Sequence, residues 1–150
     1  MKRFLMTITP PGILVLLYLA AYAVKRWTSI GSCSIALAPL GYALIGAGAV
    51  LFFWAGLQFL LRKTTVLPIG NPSRIIVGGP FRFTRNPIYL ADLVITLGIA
   101  LCLGPLVYWA VPVALFWILN TVFIPEEERK MRAIFGDEFD AYAARVRRWL

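Results

Sequence analysis

The chain has 150 residues, 60% of them hydrophobic, and 15 Lys and Arg against 7 Asp and Glu give it a net charge of +8. No charged residue interrupts residues 4–24, 28–61 or 93–125; about 20 apolar residues suffice to cross a bilayer, so these runs exclude a large soluble domain. The positive charge then points to the anionic headgroups that flank membrane helices and away from nucleic acid.

These features predict an all-α polytopic membrane protein, one domain over residues 1–150, with about four transmembrane segments. The first covers residues 4–24. Lys2 and Arg3 precede it and Ala21-Tyr22-Ala23 resembles a leader cleavage site, but Pro10-Pro11 and the apolar sequence downstream favour a retained helix. The second covers residues 37–61, where Gly41, Gly46, Gly48 and Gly56 permit close helix packing. A Gly- and Pro-rich loop follows over residues 62–86. The third segment starts at Pro87 and ends near Leu103, and the fourth covers residues 106–124. Unbroken, residues 87–124 would span about 57 Å, too far for one crossing, so Gly104-Pro105 is read as the turn of a helical hairpin. In the tail, Phe135, Phe139, Tyr142, Val146 and Trp149 recur at helical spacing and predict an amphipathic helix on the cytoplasmic membrane surface.

All of the 15 basic residues except Lys25 and Arg26 then share one side, which the positive-inside rule makes cytoplasmic, with both termini. The expected location is a bacterial inner membrane. Cys33 and Cys102 are read as small buried thiols, with a disulfide as the alternative. Histidine is absent, which removes His-ligated haem, most zinc sites and any Ser-His or Cys-His nucleophile; no metal is expected.

Polar chemistry concentrates in two places. Residues 78–90 read GGPFRFTRNPIYL. Charge is costly in the bilayer, so Arg82 and Arg85 belong at its edge. Asn86 and Pro87 have the chemistry of an N-cap and a first helical residue. A loop that sets arginines at the positive end of a helix suits an anionic ligand group. The second place is Glu126-Glu127-Glu128. Spacing of i,i+4 pairs Glu126 with Lys130 and Glu128 with Arg132. Glu127 meets Met131 at that spacing and needs a partner from elsewhere, protein or ligand. Asp92 sits about 9 Å beyond Asn86 along the third helix and is either functional or a partner for Arg82 or Arg85. Tyr89 and Asn120 either bond a ligand or serve as an interfacial aromatic and helix-packing glue.

These residues carry a family resemblance. GGPFRFTRNPIYLADL and PEEERKMRAIFGDEFDAYAARVRRWL resemble the two motifs of the isoprenylcysteine carboxyl methyltransferase and phospholipid N-methyltransferase superfamily, in the family's order and separated by a helical hairpin. The resemblance implies S-adenosylmethionine as cofactor and a lipophilic acceptor at the cytoplasmic face. It carries Arg85, Pro87, Tyr89, Glu127 and Glu128 into a cofactor-binding set, to which the reading of the residues themselves adds Arg82 and Asn86, with Arg85, Glu127 and Asp92 as catalytic candidates. Phe135-Gly136 and Arg148-Trp149 match the rest of the second motif. Asn86 stands where many members have His, and Ala91 where Gly is common. The alternatives are a sterol-reductase-type membrane enzyme using a reduced nicotinamide cofactor, and a non-catalytic scaffold of the same fold.

Overall fold

The computed structural model describes residues 10–27, 37–62 and 74–150. Lys2, Arg3, the start of the first apolar run, Cys33 with its pairing to Cys102, and residues 63–73 of the loop lie outside these. The described chain forms α1 (Pro10–Trp27), α2 (Ala38–Leu61), α3 (Pro87–Leu103), α4 (Ala110–Ile118), α5 (Ile124–Phe135) and α6 (Asp137–Arg145). A 3-10 turn at Gly79–Arg82 precedes α3, and another at Leu106–Trp109 enters α4. A π-helical stretch at Leu119–Phe123 joins α4 to α5, so Leu106–Phe135 runs on as one rod of 30 residues.

Among the described residues, two helices are long and apolar enough to cross a membrane: Ala38–Leu61 and Leu106–Phe135. The outer side of α2 presents Tyr42, Val50, Phe53, Leu57 and Leu60 as exposed residues, a surface suited to lipid. At 17 residues, α3 is about 26 Å long, short of the ~30 Å hydrocarbon thickness. Against the expectation of four crossings, the described residues show two helices of full spanning length and one shorter apolar helix, and part of the first run falls outside them.

Packing follows the small residues. A Cβ on Gly41 would meet the Gly98 carbonyl at 2.7 Å, and one on Gly48 the Ala91 carbonyl at 3.0 Å, whereas Gly46 and Gly56 have nothing within 4 Å. Only two of the four predicted glycines in α2 thus face α3. In lipid, such close backbone approach replaces the hydrophobic drive between helices. On the other side, α1 packs on the long rod. Ile13 lies buried among Leu115, Leu119, Phe123 and Ile124, and the Tyr18 hydroxyl donates to the Thr96 carbonyl of α3 at 3.1 Å.

The hairpin turn is at Gly104, whose φ of 87° is open to glycine and strained for other residues. The tail departs from the sequence expectation. Gly136, at φ 50°, breaks the helix between α5 and α6, and residues 146–150 are not helical. The apolar stripe does not lie free for a membrane surface: Phe139 and Tyr142 are buried with Ile75 of the loop, and Phe135 and Val146 pack against them. Trp149 leaves the stripe and sits 5.2 Å, ring to ring, from Phe116 on α4.

Candidate functional site at the start of α3

The loop before α3, the first turn of α3, the start of α5 and the chain's last residues meet at one point. Thr84 is 2% exposed. Its hydroxyl donates to the Arg148 carbonyl at 3.1 Å and accepts from the Asn86 backbone N–H at 3.1 Å. Asn86 occupies the N-cap position, but its side chain caps nothing. The Asn86 amide donates instead to the Arg148 carbonyl at 2.8 Å. The capping role expected of it is corrected: Thr84 turns the chain into the helix, and Asn86 ties down the tail. Pro87 fills the first helical position and is buried, as suits a residue without an N–H to satisfy.

Arg85 reaches inward. Its Nη2 pairs with Glu128 Oε1 at 2.9 Å, and its Nη1 donates to the Ala143 carbonyl at 3.0 Å. Its Nε is buried and has no hydrogen-bond partner among the described residues. Glu128 also receives Arg148, through Nε at 3.1 Å and Nη2 at 2.7 Å. These bonds push the Arg148 guanidinium above its ordinary pKa. The i,i+4 pairing expected of Glu128 is therefore replaced: Arg132 pairs with Asp140 at 2.7 Å, and Glu126 pairs with Arg129 at 2.6 Å. Glu128 and the Arg85 side chain are each 15% exposed, and a carboxylate withdrawn that far from water takes whichever cation packing brings to it.

Glu127 accepts a hydrogen bond from the Tyr89 hydroxyl of α3. It does have a cation within electrostatic reach, Lys130 one turn on, which the i,i+4 count overlooked. Asp92 lies half-buried one turn beyond Tyr89 and close enough to act on it. Among the described residues Asp92 pairs with neither Arg82 nor Arg85, which corrects the structural alternative for it. Arg82 is exposed at the end of the 3-10 turn, away from this cluster of bonds. Asn120, in the π-helical stretch, accepts from Arg148 Nη1 and Trp149 Nε1, each at 3.3 Å. Such stretches often mark functional positions in a helix; here it turns Asn120 toward the tail.

Sequence reading missed Thr84 and Tyr142. The Tyr142 hydroxyl donates to the Phe81 carbonyl at 2.8 Å, fixing α6 against the loop, and burial pushes its phenol up to about 12 against the pull of the nearby Arg85. Thr84 was detectable as a short hydroxyl side chain two residues before the N-cap position, where it can bond the local backbone.

The site thus combines an Arg85 Nε–H without a partner among the described residues with the carboxylates of Asp92 on α3 and Glu127 on α5, in an apolar helical protein. A family model for phospholipid methyltransferases matches residues 37–138. The chain belongs to that family, a group of membrane-bound methyltransferases within the isoprenylcysteine carboxyl and phospholipid methyltransferase superfamily. It is also 36% identical over 63 residues to an uncharacterized protein of Haemophilus influenzae, a match covering 42% of this chain and 100% of that one. No solved structure matches the chain.

Proposed function

We propose that the protein transfers a methyl group from S-adenosylmethionine to a lipophilic acceptor at the cytoplasmic face of the membrane, in the manner of the isoprenylcysteine carboxyl methyltransferases its two motifs resemble. The observation that supports this reading is the Tyr89–Glu127 hydrogen bond between α3 and α5 next to the Arg85–Glu128 ion pair, with the buried Arg85 Nε left without an acceptor among the described residues.

That residue set fits the cofactor's charges. The Arg85 Nε–H suits a carboxylate oxygen, as a charge-assisted bond. Glu127 and Asp92 supply negative charge for a sulfonium and an ammonium group. Tyr89 fixes the orientation of the Glu127 carboxylate, and Pro87 keeps the first turn of α3 in place beneath it. When bound, S-adenosylmethionine supplies a methyl group already activated by positive sulfur. The protein's own contribution is then alignment of the two reactants and exclusion of water. A carboxylate or thiolate acceptor needs no base; an amine or phenol would lose its proton to Glu127 or Asp92. The acceptor reaches the site sideways from the bilayer, between helices whose outer faces are apolar.

Calorimetric titration of the purified protein with S-adenosylhomocysteine and, separately, with a reduced nicotinamide dinucleotide tests this. The first should bind and the second should not. Glu127→Gln keeps an oxygen for the Tyr89 hydroxyl while removing the charge, so it should weaken S-adenosylhomocysteine about tenfold or more, each tenfold being 1.4 kcal/mol, with little change in thermal unfolding. Binding of the nicotinamide cofactor alone would transfer the assignment to the reductase class. Unchanged affinity in Glu127→Gln would leave Glu127 with only its structural bond to Tyr89.

A further inference from the structure

Residues 147–149 are held by several directed bonds. The Arg147 carbonyl accepts the Arg85 backbone N–H at 3.0 Å. The Arg148 carbonyl accepts both Thr84 and Asn86. The Arg148 side chain spans Glu128 and Asn120, and the Trp149 indole also donates to Asn120. Residues 147–149 therefore tie the loop before α3 to both the π-helical stretch and α5, alongside the direct Arg85–Glu128 ion pair.

We infer that residues 147–149 are a clasp whose docking is coupled to ligand binding at Arg85 and Glu127, with Arg148 and Glu128 as positioning residues that do not touch the ligand. Glu128 is the knot. Both its oxygens are taken by guanidinium groups, and Arg85 is thereby held with Nη1 and Nη2 engaged and Nε alone unused. Removing Arg148 frees half of Glu128 and lets Arg85 rotate onto it bidentately, which would turn Nε away from the ligand. It also leaves the tail carbonyl contacts of Thr84 and Asn86 without the side-chain anchor that keeps the carbonyl in place. The two adjacent glutamates thus divide the work: Glu127 faces the ligand, and Glu128 holds the wall.

The coupling rests on the ligand reading above; the clasp itself does not, and two measurements separate them. The first is trimming of the purified full chain by a carboxypeptidase in detergent without ligand. Wild type should resist, and Glu128→Gln should be trimmed about tenfold faster, within the usual range of coupling between sites. Trp149→Phe, which loses the indole N–H and part of the ring surface against Phe116, gives a smaller change in the same direction and replaces Glu128→Gln if that variant does not fold by circular dichroism. Equal trimming of wild type and both variants overturns the clasp. The second measurement is S-adenosylhomocysteine affinity. Arg148→Ala should bind about tenfold more weakly, Arg148→Lys should fall between, and saturating S-adenosylhomocysteine should slow wild-type trimming by the same factor, because coupling is reciprocal. Wild-type affinity in Arg148→Ala together with unaltered trimming overturns the coupling. Wild type that resists trimming and binds no S-adenosylhomocysteine overturns the methyl-donor reading and leaves the clasp standing.

Discussion

Asn86 shows how one side chain can change jobs without changing place. It stands at the N-cap of α3, yet its amide donates to the Arg148 carbonyl at 2.8 Å. As a plain cap it could be exchanged for Asp freely, since both residues cap equally well. As a donor to a carbonyl it cannot, because Asp presents only acceptors when ionised. Asn86→Asp should therefore destabilise the fold by about 1–3 kcal/mol, the cost of a partly buried acceptor facing another acceptor, read as a lower thermal midpoint in detergent. Stability equal to wild type would restore the simple capping role. Glu127 and Glu128 make the same point in pairs: adjacent in sequence, they point to different partners on different elements.

Among the elements, α2 and α3 depend on each other most closely. A Cβ on Gly98 would meet the Gly41 carbonyl at 2.6 Å and the Ile45 backbone nitrogen at 3.0 Å. Backbone atoms inside a helix cannot step aside, so the helices must part. Gly98→Val should cost at least about 1–3 kcal/mol, the usual penalty of overpacking, whereas Gly46→Ala meets nothing within 4 Å and should be neutral or stabilising by up to about 1 kcal/mol through helix propensity. Thermal unfolding of both variants in the same detergent checks the contrast. Equal midpoints would mean that the α2–α3 contact is looser than its geometry. The tail obeys a different logic: Gly136 ends α5, and α6 turns back so that Phe139 and Tyr142 cover Ile75. Its apolar stripe is packed against the loop as part of the protein.

For the whole molecule, the decisive property is the distribution of charge over an apolar body. Arg85, Glu127, Glu128 and Arg148 gather at one end of the helices, and Lys25 and Arg26 close α1 in its last turn. Basic residues favour the cytoplasmic side of a membrane, so the site should face the cytoplasm and the end of α1 should face out. Reporter fusions after Trp27 and after Leu150 should give opposite signals. The same signal from both would remove this topology, and with it the placement of the site at the cytoplasmic surface.

Sequence alone determined the helices, because an apolar run in a bilayer has few other ways to satisfy its backbone. It also located the hairpin turn at Gly104-Pro105, where the backbone needs a residue free to take positive φ, and it singled out the two polar segments that meet at the site. It misassigned Glu128, whose partners lie 43 and 20 residues away, because spacing rules count neighbours along one helix and a shielded charge answers to whatever the fold brings near. It drew the tail as one continuous stripe, because apolar periodicity continues past Gly136 even though the backbone does not. Which carboxylate is tied by arginines, which accepts the Tyr89 hydroxyl, and that residues 147–149 bridge the loop and the helix were decided only in the tertiary structure, since each depends on segments far apart in sequence being brought within about 3 Å, the reach of a hydrogen bond.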